Sequence, residues 1–157
     1  GKLKLVQTGG SSGSIVPAAL QDTPMDFESW RKAGVSLGSG ALLICDERTC
    51  VVDLAKTLLQ FFHFECCAKC VPCRTGTHRM YEIVRDISIG KGTFESLTEM
   101  QALGLDMEIL SNCGLGQTAS VAVRDILKHF RAEVEEHIRD GVCRAGVSVV
   151  TRTATMC

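Results

Sequence analysis

The sequence predicts an α+β protein in which a small β-rich module precedes a four-helix bundle. Period-two alternation opens the chain, the hydrophobic period becomes helical from Asp53 onward, and four apolar stripes with short connections follow. A hydrophobic share of 45% over 157 residues is enough to build a packed core. We therefore expect a β-rich domain over residues 1–52, a helical domain over 53–140 and a C-terminal tail over 141–157.

The first domain shows strand and turn patterns. Residues 2–6 alternate polar and apolar side chains, and the apolar run 41–45 predicts a short buried strand. Residues 24–33 have room for one helical turn. The glycine-rich segment 9–13 lacks both the Gly-Lys-Ser/Thr ending of a P-loop and the spacing of a dinucleotide fingerprint, so it is predicted to be a structural loop.

The second domain shows helical periodicity up to its end. Ser96 and Glu99 predict a capping box at the start of the third helix. The tail has no helical period and is predicted to be extended. The stripes, in chain order, are Leu54, Leu58, Phe61 and Phe62; Met80, Ile83, Val84 and Ile87; Met100, Leu103, Met107 and Leu110; and Val123, Ile126, Leu127, Phe130, Val134 and Ile138.

Charge and composition limit the classes of partner and compartment. Seventeen basic and eighteen acidic residues give a net charge of -1, and no run of Lys or Arg indicates nucleic-acid binding. No apolar stretch is long enough to span a bilayer, and no leader pattern opens the chain. Nine cysteines cannot all pair internally, which favours a reducing, cytoplasmic setting. Because Gly1 stands directly before a strand pattern, we expect the chain to be part of a longer protein.

The stretch ECCAKCVPCRTGT, residues 65–77, carries the chemistry. Cys67, Cys70 and Cys73 are spaced Cys-x2-Cys-x2-Cys, so one tight loop can direct three thiolates at one point. Structural zinc usually takes two separated pairs of ligands, whereas this run is typical of [4Fe-4S] clusters. Cys113, in the loop before the last helix, is the candidate fourth ligand because two loops at one end of a bundle can meet.

Other interpretations of the cysteines remain open. Zinc at the same four sulfurs would make the chain a zinc-stabilised interaction domain without redox activity. A redox dithiol is disfavoured because the thioredoxin-like pattern is missing. Cys66 adjoins Cys67 and is expected to be a packed or free thiol, as are Cys45, Cys50 and Cys143. The histidines show no ligand pairing, although one is close enough to the cysteines to act electrostatically; they are His63, His78, His129 and His137.

The phrase FFHFECCAKCVPCRTGT resembles the iron–sulfur motif of NADH/FMN-binding flavoprotein subunits. That family includes subunits of respiratory complex I, of NAD(P)-linked and electron-bifurcating hydrogenases, and of formate dehydrogenases. The segments VQTGGSSGSIVP, TPMDF and LGSGALLICDE look like its ubiquitin-like β-grasp module, truncated at the N-terminus here. CGLGQTA is more similar to the hydrogenase branch. The likeness reaches to about Ile138.

The resemblance implies that Cys67, Cys70, Cys73 and Cys113 hold one [4Fe-4S] cluster. FMN and NAD(P) would be bound only in the parent assembly, by an N-terminal domain outside this chain, and the partners would be other iron–sulfur subunits of a multi-subunit oxidoreductase. The chain alone is then expected to be inactive with NAD(P)H.

Several positions depart from the family pattern or adjoin its ligands. Cys66 replaces the usual Ser, Ala68 the usual Gly, and CRAGVS resembles Cys-Pro-Ala-Gly-Val-Cys with Arg144 and Ser148 substituted. Lys69 and Arg74 flank the ligand positions, and we expect their charges to stabilise the reduced cluster. The sequence leaves open the kind of parent complex, the choice of nucleotide and the direction of electron flow.

Overall fold

A small antiparallel sheet precedes a set of packed helices in the computed structural model, which describes residues 1–148. The mixed α and β architecture predicted from the sequence is confirmed. None of the described helices is long and apolar enough to cross a membrane. The elements are β1 (Leu3–Thr8), β2 (Ile15–Pro17), α1 (Phe27–Lys32), β3 (Leu42–Asp46), α2 (Val51–Glu65), α3 (Val71–Ser88), α4 (Phe94–Leu110), α5 (Gly114–Thr118), α6 (Val121–His129) and α7 (Arg131–Arg139).

The sheet has the strand order β2-β1-β3, and both pairings are antiparallel. Leu5 in the central strand is fully buried and belongs to the same core cluster as the helices. The prediction of a buried strand near residue 43 is wrong in one respect, because β3 lies at the sheet edge. Only its Cys45 is buried, while Ile44 is 72% exposed.

The last predicted helix consists of two helices. Phe130 has φ -128° and ψ 23°, outside the α region, and it ends α6 and precedes α7. Val123, Ile126 and Val134 are nevertheless all buried in one core. The apolar stripe was therefore correct about which side chains face inward, but it does not report a change of direction between two short helices.

The capping box predicted for α4 is wrong. Thr93 caps this helix, with its hydroxyl accepting the N–H of Ser96 at 3.2 Å. Glu99 instead forms a two-toothed ion pair with Arg79 of α3, the Nε–Oε1 distance being 2.6 Å. The helix therefore starts at Phe94, two residues before Ser96, and the carboxylate of Glu99 is used between helices rather than within one.

One buried ion pair joins the sheet to the helices. The Nζ of Lys4 on β1 lies 2.7 Å from Oε2 of Glu133 on α7, and Glu133 is only 4% exposed. The same carboxylate accepts the N–H of Val51 at 3.3 Å, at the start of α2. Nearby, Asp125 of α6 accepts the N–H of Ile15 at 2.9 Å. The β-rich and helical parts are thus tied together by polar contacts as well as by a shared core.

We predict that Lys4→Met lowers the free energy of unfolding by roughly 3–5 kcal/mol, because it leaves the Glu133 carboxylate buried without its cation. Urea unfolding followed by circular dichroism under anaerobic conditions measures the effect. Arg131→Met is the matched control, since it breaks an exposed pair with Glu135 worth about 0.5 kcal/mol or less. Equal losses in the two variants would contradict the role given to Lys4.

Candidate functional site

All the cysteines of the predicted site, together with Cys66, surround one surface cavity of about 150 Å³. The cavity lies where the end of α2, the start of α3 and the start of α5 meet. Residues 70 and 113 are far apart in sequence, so the fold itself brings them to the same place. The lining residues are Glu65, Cys66, Cys67, Lys69, Cys70, Cys73, Cys113 and Leu115.

Helix N-termini position three of these thiols. Cys70 is the N-cap of α3, and the fixed backbone of Pro72 suits the first turn that follows. Cys73 lies within that first turn and is 4% exposed. Cys113 is the N-cap of the short α5. The amide groups at the start of α3 favour negative charge, as an anionic group held by thiolates requires.

A close helix contact brings Cys113 to the cavity. A Cβ on Gly116 would lie 2.5 Å from Oγ of Ser111 and 2.9 Å from Cβ of Cys73, so only glycine allows α5 to approach α3 this closely. The Ser111 hydroxyl is buried and has no hydrogen-bond partner among the described residues. A buried O–H without an acceptor, packed beside Cys73, fits a site whose sulfur-rich occupant accepts hydrogen bonds.

The two thiols on α3 have opposite electrostatic settings. The pKa of Cys70 is lowered because its sulfur accepts the backbone N–H of Asn112 and that of Cys73. Burial raises the pKa of Cys73 to about 12, and the adjoining Cys66 thiol raises it further. A thiolate at Cys73 therefore needs a nearby cation, which bound metal supplies.

The spacing of the sulfurs bears on the size of the occupant. Tetrahedral zinc with Zn–S bonds of about 2.3 Å places its sulfurs roughly 3.8 Å apart. Among residues 1–148, the group of three metal-binding side chains with ligand atoms within 4.8 Å lies elsewhere and includes none of Cys67, Cys70, Cys73 and Cys113. The four sulfurs are thus spread around a cavity, an arrangement that suits a multi-atom cluster better than a single ion.

The loop between α2 and α3 contains two unusual residues. Ala68 has φ +60°, the left-handed region that favours glycine, and its N–H lies 3.4 Å from Sγ of Cys66. Cys66 was expected not to reach the site easily, yet its sulfur lies 3.4 Å from that of Cys73. The structure therefore places five cysteines around the cavity, and Cys66 is the one without a counterpart in the predicted ligand set.

One edge of the cavity faces solvent. Cys67 and Cys113 are exposed, and Phe64 and Val71 beside them are 74% and 62% exposed. Lys69 lines the cavity, whereas Arg74 is an exposed residue of α3. His63 stacks in parallel with Tyr81 and lies 4.9 Å, between ring centroids, from His78. The site therefore lies at the surface, with apolar side chains around its opening.

A second sulfur-containing group lies away from this cavity. Cys50, His137 and Cys143 bring their ligand atoms within 4.8 Å of one another. The sequence interpretation had Cys50 and Cys143 as isolated thiols and found no ligand pairing for the histidines, and for His137 this is wrong. No local spacing could have revealed the group, because its members come from the start of α2, from α7 and from the segment after α7.

A protein-family profile described as the NADH-ubiquinone oxidoreductase-F iron–sulfur binding region matches residues 53–137, which include all four predicted ligands. The chain is also similar to an F-type NADH-quinone oxidoreductase protein of Rhizobium meliloti (strain 1021), with 38% identity over 142 residues that cover 90% of this chain and 34% of that protein. The HndC protein of the NADP-reducing hydrogenase of Solidesulfovibrio fructosivorans is 38% identical over 153 residues, covering 98% and 31%.

Among solved structures, the NAD+-reducing [NiFe]-hydrogenase in its H2-reduced state matches with a TM-score of 0.80 and 30% identity, over 88% of this chain and 24% of that one. The chain spans about a third of the length of the curated relatives it matches. Relatives from both the complex I and hydrogenase branches match at the same identity. On the profile, which covers more than half of its residues, the chain belongs to the family of NADH-ubiquinone oxidoreductase-F iron–sulfur binding regions.

Proposed function

We propose that this chain is an electron-transfer module that binds one [4Fe-4S] cluster through Cys67, Cys70, Cys73 and Cys113. The observation that carries the proposal is the single cavity around which these four thiols lie. Such a cluster, when bound, accepts and releases one electron at a time. Four thiolate ligands would leave no open coordination position, which suits electron relay better than chemistry on a substrate.

The protein's contribution is to hold the cluster and adjust its potential. The N–H groups of Asn112 and Cys73 donate to the Cys70 sulfur and offset negative charge there. The start of α3 presents the positive end of its helix dipole. Lys69 on the cavity wall adds a positive charge, and Arg74 adds one nearby. All of these favour the more negative reduced state, so we expect each to raise the reduction potential.

The exposed edge of the site is suited to exchange of electrons with other proteins. Cys67 and Cys113 lie at the surface, and the apolar side chains of Phe64 and Val71 surround them. A docked partner covering this edge would shorten the electron-transfer path and exclude water. We propose that the partners are other iron–sulfur subunits of a multi-subunit oxidoreductase, of the kind to which the relatives belong.

The rest of the parent assembly follows from the resemblance and remains a proposal. Residues 1–52 would form a truncated β-grasp module, 53–140 a four-helix cluster-binding domain, and 141–157 a tail whose last nine residues lie outside the described part. FMN and NAD(P) would be bound by a further domain, from which a flavin passes single electrons to this site in a cytoplasmic, hydrogenase-type complex. The 157-residue chain alone would then not oxidise NADH or NADPH.

We predict that protein prepared without air is brown and carries about four irons and four sulfides per chain. Iron and sulfide analysis, with electron paramagnetic resonance after dithionite reduction, measures this. NADH should leave the cluster oxidised where dithionite reduces it. Stoichiometric zinc without sulfide in anaerobically prepared protein would instead establish a zinc-stabilised domain.

We predict that Cys113→Ser and Cys70→Ser each remove most of the bound iron, because each is proposed to supply a ligand. Cys66→Ser is the matched control and should retain it, even though its sulfur lies 3.4 Å from that of Cys73. Iron content and visible absorbance of the three variants, prepared in parallel, make the comparison. Loss of iron in the Cys66 variant with retention in Cys67→Ser would shift the ligand set by one position.

We predict that Ala68→Gly stabilises the cluster loop. Removing the Cβ relieves left-handed backbone strain of about 1–2 kcal/mol, partly offset by the greater freedom of glycine in the unfolded chain, for a net gain of roughly 0.5–1 kcal/mol. Thermal unfolding and the half-life of the visible absorbance in air would both rise. The same change at Ala102, an exposed position inside α4, should destabilise by about 1 kcal/mol, and a shared sign would refute the strain argument.

A further inference from the structure

The Cys50, His137 and Cys143 group is a compact site that electron relay does not use. The Sγ of Cys50 lies 3.4 Å from Nε2 of His137, and all three reactive atoms lie within 4.8 Å of one another. His137 is fully buried and Cys50 is 2% exposed, whereas Cys143 is half-buried and can be reached from solvent. One thiol is therefore accessible and the other is held behind it.

The orientation of His137 is fixed by the backbone. Its Nδ1 lies 2.8 Å from the carbonyl oxygen of Glu133, which can only accept, so Nδ1 carries a proton. Nε2 is left facing the sulfurs, where it can take a proton from a thiol or return one. Burial disfavours the charged imidazole, but the contact with Cys50 and the bond to Glu133 outweigh it and raise the pKa of His137 to about 9.

Cys143 is the thiol set up to ionise. Burial opposes its ionisation, but the N–H groups of Ser148 and Val147 point at its sulfur, and His137 and Cys50 also donate to it. The Ser148 nitrogen lies 3.4 Å from Sγ of Cys143. Together these contacts lower the pKa of Cys143 to about 6, so that it is largely a thiolate at neutral pH.

Other charged groups around the site are already paired. Glu133, one turn before His137 on α7, is bound to Lys4 of β1. Glu136 forms a two-toothed pair with Arg144, its Oε2–Nε distance being 2.6 Å. Asp53, one turn into α2, is bound to Lys56 at 2.6 Å. Because each carboxylate has its own cation, the imidazolium of His137 is left to the two sulfurs.

The number of ligand atoms argues against a structural zinc ion. Such sites take four cysteine or histidine ligands. Here the fourth close neighbour is the hydroxyl of Ser148, 3.2 Å from Sγ of Cys50, which is neutral and not a usual zinc ligand. Two thiols with a histidine between them, one accessible and ionised, match the requirements of a thiol-oxidation site instead.

We propose that Cys143 is a site of reversible oxidation by hydrogen peroxide, with Cys50 as the resolving thiol and His137 as the group that carries protons between them. The Cys143 thiolate attacks one peroxide oxygen, so an S–O bond forms and the O–O bond breaks. The departing hydroxide takes a proton from His137, which leaves water, a sulfenic acid and a neutral imidazole.

Cys50 completes the reaction. Its proton passes to Nε2 of His137, its thiolate attacks the Cys143 sulfur, and the S–O bond breaks as hydroxide leaves and takes that proton as water. Overall two thiols and one peroxide give one disulfide and two waters. The disulfide removes Cys50 as the cap of α2, where its sulfur now accepts the N–H of Asp53 at 3.4 Å, and ties α2 to the segment after α7.

The test is a non-reducing tryptic map of the anaerobically prepared, cluster-loaded chain before and after a few equivalents of hydrogen peroxide. Cleavage after Lys and Arg places Cys50 alone in peptide 49–56 and Cys143 alone in peptide 140–144, apart from the cysteines of the cluster loop. We expect these two peptides to become linked and thioredoxin or dithiothreitol to separate them. A map in which the wild-type peptides stay unlinked while peroxide oxidises cluster cysteines would overturn the proposal.

Variants separate the roles of the two thiols. In Cys50→Ser, dimedone should label Cys143 as a trapped sulfenic acid, whereas in Cys143→Ser peptide 49–56 should stay unlabelled. Cys45→Ser, which removes a buried thiol of β3, is the matched control and should leave the linkage unchanged. Metal analysis of the untreated wild-type chain covers the alternative: one zinc per chain that is lost in both Cys50→Ser and Cys143→Ser would refute the oxidation site.

The pH dependence of alkylation tests the part played by His137 as a positioning residue. In the wild-type chain, iodoacetamide labelling of peptide 140–144 should follow a midpoint near the pKa of about 6 expected for Cys143. In His137→Gln the midpoint should move up toward that of an ordinary thiol, about 8.5. A wild-type midpoint already at the ordinary value would contradict the ionised thiol, whether or not the variant folds.

Discussion

The sulfur cavity depends on the close contact of α5 with α3. The last two cysteines of the predicted ligand set, Cys73 and Cys113, are forty positions apart, and no local rule of chain geometry holds them together. They meet because Gly116 lets the backbone of α5 lie against Ser111 and Cys73, where any Cβ would collide. Gly76 allows a similar approach of α3 to Met107 of α4, where a Cβ would collide with the Met107 sulfur. Two glycines thus fix the helix spacing on which the site depends.

Much of the fold could be predicted because its signals are local. The apolar stripes identified the core side chains of α2, α3 and α6, and the cysteine spacing identified the site. The break at Phe130 and the cap at Thr93 could not be predicted, because both depend on which neighbour each residue meets in the folded chain. Glu99 illustrates the point: its spacing from Ser96 suggested a capping box, but Arg79 on another helix offers a stronger, charged partner.

The group formed by Cys50, His137 and Cys143 was missed for the same physical reason. Cys50 and His137 are separated by 87 positions and are brought together by the packing of α7 against the start of α2. The buried pair of Lys4 and Glu133 lies beside them, so the contact that ties the sheet to the helices also orders this group. A sequence pattern reports side chains that share one element, whereas this group draws on three separate segments.

The two sulfur sites differ in ways that suit different chemistry. Around the cavity, thiols are widely spaced at helix N-termini and partly open to solvent, an arrangement that accommodates a large anionic group and its exchange of electrons with a partner. In the second group, a buried imidazole lies against one enclosed and one accessible sulfur, all within 4.8 Å, which is too tight for a cluster and short of ligands for structural zinc. Burial and hydrogen bonding, rather than the number of cysteines, therefore decide what each set of thiols can do.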